Sequence, residues 1–230
     1  MTYPLLFSPA KINQLTLKNR LVMTPMGCGL ANADGTITDE FIAYYEERAK
    51  GGAALLYTEV SCVNEVHGRR ALRQICVTDD CQISMLKKLT DTMHSYQCAI
   101  FTQLLHPGVM SSNAANGGRA LVGPSGIASQ MIRQEVREIT LQEIRQLPVD
   151  FANGANRAKR AGFDGVEVHA AHHYLLHEFL SPHFNKRTDQ YGGSFENRSR
   201  LLLEILDAIR EKVGADYPIS VRVSAEDYMG

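Results

Sequence analysis

Apolar and polar positions alternate along this chain in two periods, and the switches between them mark its elements. Five short apolar runs read as buried strands: "RLVMTPM" (20–26), "AALLYTEV" (53–60), "CAIFTQLL" (98–105), "FDGVEVH" (163–169) and "PISVRVS" (218–224). Helical spacing fills the intervals. "TDEFIAYYEERAKGG" opens on Thr38 as a cap and stops at Gly51-Gly52, and residues 79–97 carry apolar positions at helical period. "TLQE" (140–143) has capping-box spacing and starts a helix running to about Gly162, which Pro148 is expected to disturb by splitting it. Ser194 to Val213 is a helix closed by Gly214. The stretch 106–138, rich in Gly, Ser and Asn, reads as a long loop, and the leader "LFSPAKINQLTLKNR" as a hairpin.

Five strands separated by helix-containing connections form a parallel sheet covered by helices. Two architectures compete, an open doubly wound sheet and an eight-stranded barrel. The doubly wound fold expects a glycine-rich turn after the first strand, and "TPMGCGL" contains no G-x-G-x-x-G. The leader hairpin suits the bottom of a barrel. A complete barrel needs eight strands and typically ~250 residues. The expectation is therefore a (β/α)8 TIM barrel truncated after about the fifth strand, with an N-terminal hairpin, the whole of 1–230 being the N-terminal part of one domain.

Composition narrows the function classes. Apolar content of 44%, charged content of 21% and a net charge of −1 describe a globular chain with no field to attract nucleic acid or an anionic membrane. No apolar run approaches the ~18 residues of a membrane span, and the N-terminus lacks a basic region followed by an apolar one. The five cysteines (28, 62, 76, 81 and 98) form no C-x-x-C and read as reduced thiols. These features imply a cytoplasmic protein.

In a parallel barrel, functional groups sit at the C-terminal strand ends. Those ends carry Pro25-Met26-Gly27-Cys28, Glu59-Val60, Gln103 followed by His106, His169 followed by His172, and Arg222. A lone Gln at a strand end is often a surface amide, whereas an Arg inside a strand needs a partner if buried. Five of the eight histidines fall between 169 and 183. His169 and His172 approach one another if the strand leads into a helical turn. A metal there would need a third ligand, Glu167 and Glu178 lie on doubtful faces, and H-E-x-x-H is absent, so no metal is expected. His173, His177 and His183 read as packing or surface residues.

"GFDGVEVHAAHHYLLHEFLSPHFNKRTDQYGGSFENRSR" resembles the signature of the old yellow enzyme family, the NADH:flavin oxidoreductases and FMN-dependent ene-reductases. The branch it is most similar to has a histidine pair and includes 2,4-dienoyl-CoA reductase and 2-enoate reductase. "NRLVMTPM", "YYEERAKGGAALLYTEV", "QLLHPG" and "VRVSAEDY" match the same family in the same order. The resemblance implies an eight-stranded β/α barrel that binds FMN and accepts hydride from NADH or NADPH. It implies that Pro25 and Met26 lie under the flavin ring, with Gly27 and Val60 near its edge. It assigns Gln103 to the pyrimidine part of the flavin and Arg222 to the side of N1 and the C2 carbonyl. His169 and His172 then bond the carbonyl oxygen of an α,β-unsaturated substrate, and Tyr174 donates the proton. The implied partner is a small unsaturated carbonyl compound or enoyl thioester; a homo-oligomer is compatible with the sequence, and neither nucleic acid nor membrane is expected.

The chain departs from the family pattern at four places. Position 173 is His where Gly is usual, so Tyr174 is expected to shift or the pocket to narrow. Position 27 is Gly where Thr or Cys often stands, and Cys28 is either its substitute or a structural thiol. Val109 replaces an Arg, which is expected to alter the substrate mouth. Finally, the phosphate-binding strands and the iron–sulfur cluster of the larger relatives would lie beyond residue 230. The alternative to an ene-reductase is therefore a non-catalytic truncated half-barrel or assembly module, whose last strand seeks a partner.

Overall fold

The computed structural model describes residues 3–227; Tyr228, the last residue of the "VRVSAEDY" match, lies outside the described residues. The leader folds as an antiparallel hairpin of β1 (Ala10–Ile12) and β2 (Leu15–Leu17). β3 (Val22–Met23) is followed by α1 (Asp39–Lys50), β4 (Leu55–Cys62), α2 (Ile83–Ser95) and β5 (Ala99–Leu105). Two short strands, β6 (Leu121–Gly123) and β7 (Val136–Glu138), precede α3 (Leu141–Arg160), β8 (Gly165–Ala170), α4 (Leu175–Leu180), α5 (Phe195–Val213) and β9 (Ile219–Val223). β3, β4, β5, β8 and β9 form one five-stranded parallel sheet in sequential order, the arrangement of consecutive β/α barrel units. β6 and β7 pair separately.

Each expected strand forms, with shifted bounds. The first shrinks to two residues because Pro25 has no N–H to donate and the amides of Cys28 and Gly29 turn to the Glu59 carboxylate instead. The caps are where the sequence puts them. Thr38 accepts from the Phe41 N–H, Thr140 and Glu143 form a complete capping box, Ser194 accepts from the Asn197 N–H, and Gly214 ends α5 at φ 87°. Pro148 does not split α3, which runs unbroken through it. Ile144 and Leu147 before the proline and Phe151 and Ala155 after it are all buried in the main core, so packing on both sides offsets the missing hydrogen bond. The expected long loop at 106–138 holds β6 and β7, whose three-residue length left no periodicity to read.

The main core lies between the sheet and α1, α2, α3 and α5. A second apolar cluster joins the hairpin to the N-terminal strand ends: Leu17 packs with Ala54, Leu55, Tyr57 and Phe101, flanked by Ala10, Ile12 and Leu15. The hairpin thus covers the bottom of the sheet and leaves the opposite end to the loops. The Phe101 ring lies against Gly165 at the start of β8, where a Cβ would come within 2.4 Å of it. Gly165→Ala should therefore destabilise the protein by about 1–3 kcal/mol through overpacking, measured as a lower urea midpoint with an unchanged m-value.

Candidate active site

All nine residues assigned by sequence, Pro25, Met26, Gly27, Val60, Gln103, His169, His172, Tyr174 and Arg222, line a single cleft of about 400 Å³ at the C-terminal ends of the strands. That is within the ~300–1,000 Å³ usual for small-molecule sites. Gly29, Glu59, Arg70, Ala71, Arg73 and Gln74 complete its wall.

Parallel register sets the floor. Val60 pairs with Gln103, Gln103 with Glu167, and His169 with Arg222. Buried Gln103 donates its Nε2 to Glu167 Oε1 at 2.5 Å, and an Arg222 nitrogen stands 4.0 Å from the same oxygen. Burial raises the Glu167 carboxyl, and the Gln103 hydrogen bond and Arg222 charge pull against it. Glu167, a doubtful ligand from sequence, is the partner that orients Gln103 and faces Arg222.

His169 ends in the cleft wall, 3% exposed, with its Nδ1 accepting the Ala171 N–H at 3.3 Å. That places its proton on Nε2. Burial, aided by His172 and Arg222, lowers its pKa to about 3, so it is a neutral N–H donor at physiological pH. His172 is also lowered, by burial and Arg222. The two rings meet edge-to-face at 5.1 Å, and Tyr174 meets His169 at 4.8 Å. A helical turn does not bring the histidines together. His172 and His173 sit in the left-handed region at φ 59° and 58°, which folds the chain back over the strand end.

This turn explains why glycine suits position 173. His173 is held there by its N–H to His177 Nδ1 at 3.2 Å and by ring contacts with His177 and Phe184. With His173 in place, Tyr174 lines the cleft beside His169. His177 is a buried acceptor for this turn.

Cys28 does not substitute at position 27. Its thiol lies 3.2 Å from Glu59 Oε2, and burial together with the Glu59 charge pushes it up to about 12. The same Glu59 oxygen accepts the N–H groups of Cys28 at 2.7 Å and Gly29 at 3.3 Å. Glu59 is 3% exposed, a structural hub that a strand-end carboxylate alone did not reveal. A Cβ at Gly27 would meet nothing within 4 Å, so the space above it is open to a planar group. Val109 lies buried beside Met110 and Phe184, outside the cleft lining. Its N–H is held by Glu178 Oε1 at 2.8 Å, while Glu178 Oε2 has no partner and burial raises that carboxyl well above the usual range.

Among the described residues no cluster of three or more ligating side chains is placed to hold a metal, and no helix is long and apolar enough to cross a membrane. The set does suit a flavin: an apolar floor of Pro25, Met26 and Val60, an oriented amide at Gln103 and a guanidinium at Arg222.

The profile of the NADH:flavin oxidoreductase / NADH oxidase family matches residues 5–230. NADH oxidase of Thermoanaerobacter brockii is 41% identical over 227 residues, 99% of this chain and 35% of that protein. NADPH dehydrogenase of Listeria monocytogenes is 43% identical over 224 residues, 97% of this chain and 64% of that one. Among solved structures, a 2-naphthoyl-CoA reductase bound to 2-naphthoyl-CoA superposes with a TM-score of 0.91 at 33% identity, covering 96% of this chain and 35% of that one. Old yellow enzyme from Pichia sp. AKU4542 gives 0.87 at 37% identity, over 95% and 59%. The chain thus spans between about a third and two thirds of the length of these relatives.

His106, fully buried behind the site with its Nδ1 accepting the Gly108 N–H, has its pKa lowered to about 3, chiefly by burial. The unfolded chain binds this proton near pH ~6.5, so the contribution is present above that pH and is lost as pH falls toward about 3. His106→Gln removes it. The stability gap between wild type and variant should narrow by about 1.4 kcal/mol per pH unit below ~6.5, measured by urea unfolding.

Proposed function

The chain belongs to the NADH:flavin oxidoreductase / NADH oxidase family, and from that premise we propose that it carries the flavin floor and catalytic wall of an ene-reductase. The reaction is reduction of the C=C bond of an α,β-unsaturated carbonyl compound, in the cytoplasm, with residues 1–230 forming the N-terminal part of an FMN-binding barrel domain. The observation that carries this reading is the neutral histidine pair, 5.1 Å apart on the wall of the cleft that Gln103 and Arg222 floor. The five free cysteines suit a reducing compartment.

The residues present divide the work. Pro25, Met26, Gly27 and Val60 would support the FMN ring, Gln103 its pyrimidine edge, and Arg222 the negative charge of its reduced form. FMN, when bound, supplies the hydride drawn from NADH or NADPH. His169 donates its Nε2–H to the substrate carbonyl oxygen, and His172 donates beside it. Negative charge grows on that oxygen as the β carbon is reduced, so both donors act as an oxyanion hole. Because neither imidazole is cationic at neutral pH, the pair binds the carbonyl without repelling Arg222. Tyr174, which meets His169 edge-to-face, would protonate the α carbon.

The test begins with the purified chain incubated with FMN and desalted. A retained absorption band near ~450 nm would mean that the site forms on this chain alone, and NAD(P)H oxidation only when an enone or enoyl thioester is added would then support the ene-reductase reading. His169→Ala and His172→Ala should then each lower kcat by about 10²–10³-fold. A colourless chain would favour the half-barrel reading, in which these residues act only when joined to the remaining barrel units.

A further inference from the structure

The cleft carries more positive charge than the proposed flavin site uses. Among the described residues, Arg70, Arg73 and Arg222 line it, against the single lining carboxylate of Glu59. One Glu59 oxygen is already occupied by two backbone N–H groups and the Cys28 thiol. Arg222 faces Glu167 and the flavin position. Arg70 and Arg73 have no such role.

Both belong to the segment between β4 and α2, and its backbone is latched to the site. Gln74, 2% exposed, accepts the N–H groups of Arg70 at 2.6 Å and Ala71 at 3.3 Å, and donates to the Val60 carbonyl at 3.1 Å. Arg73 Nε donates to the Ala31 carbonyl at 2.9 Å. Arg70 Nε is buried with no partner. Arg70 is half-buried, so that one edge of its guanidinium is withdrawn from water without an acceptor while the rest faces the cleft, and its planar fork matches a carboxylate or phosphate.

We propose that Arg70, assisted by Arg73, forms an oxyanion subsite of the cleft, so that the molecule entering over the histidine pair bears a carboxylate or phosphate. This deepens the ene-reductase reading and rests on it. The oxyanion has two sources, an unsaturated acid or the phosphates of a nucleotide-bearing molecule.

The test measures binding calorimetrically on the chain with excess FMN. 4-Carboxybenzalacetone and its carboxamide share an enone and differ in charge away from the enone carbonyl; adenosine 2′,5′-bisphosphate probes the phosphate source. The carboxylate or the bisphosphate should bind at least about tenfold tighter than the carboxamide, in a salt-sensitive manner. Arg70→Gln should abolish that preference and Arg70→Lys should retain part of it. The loop ties use the Arg70 backbone N–H, so an unchanged thermal midpoint is expected in both variants. Which anion shows the preference identifies the source. Equal or absent binding of both anions, or a preference that survives Arg70→Gln with Arg73→Gln, would overturn the proposal. Carboxamide affinity that is indifferent to His169→Ala would sink the carbonyl reading while leaving the oxyanion subsite standing.

Discussion

The parallel register of β4, β5, β8 and β9 is the constraint on which every group in the cleft depends. Val60, Gln103, Glu167 and Ser220 pair across four strands at one level, and His169 pairs with Arg222 two residues further on. Side chains alternate along a strand, so Glu167 and His169 share a face, and a slip of one residue would turn both away. The buried residues of the opposite face, Val166 and Val168 on β8 with Ile100 and Leu104 on β5, hold that register against the helices. Where β4 breaks register between Tyr57 and Val60, hydroxyls stitch the gap: Thr102 Oγ1 lies 2.9 Å from Thr58 Oγ1 and 2.6 Å from Ser61 Oγ. That irregularity is where Glu59 and Val60 join the cleft.

Burial then sets the charge states. It lowers His169 and His172 and raises Glu167, so desolvation moves bases and acid alike toward neutrality. The fixed guanidinium of Arg222 reinforces this at the histidines and opposes it at Glu167. The floor can therefore present one cation to a flavin without making the histidines cationic too. A protonated pair would bind anions indiscriminately; a neutral pair donates to a carbonyl and strengthens its grip as charge develops there.

What the sequence made legible was local. Thr38, Thr140 and Ser194 announce their helices because capping is a contact over three residues, and the apolar runs mark the strands because burial repeats along them. The nine cleft residues were legible because strand ends and a family resemblance both point to them. Pro148 misled because its cost is local while the packing that outweighs it comes from other elements. The turn at His172–His173 was hidden because neither side chain signals a positive φ. The bonding role of Glu59, and Arg70 altogether, were missed for another reason. Glu59 acts on amides 30 and 31 residues away in sequence, and the Arg70 loop is latched through a glutamine side chain, so neither leaves a spacing to read.

The most specific part of the sequence is mainly a brace. Asn185 Nδ2 donates to the carbonyls of Phe179 and Tyr191, and Arg187, 8% exposed, donates to those of Pro124 and Ile139 while pairing with Glu138 and Asp189. These bonds lock the turns between α4 and α5 onto the β6–β7 sheet. They fix α4, whose first N–H donates to the His106 carbonyl and whose His177 receives the His173 N–H. The brace thus reaches the histidine pair through the left-handed turn, and its residues are constrained by geometry whatever molecule is reduced. The proposed oxyanion subsite, by contrast, lies on the segment carrying Arg70 and Arg73, outside the bonds of the brace. Likeness in the signature stretch therefore speaks for a shared scaffold, and the loop after β4 is where substrate choice is proposed to reside.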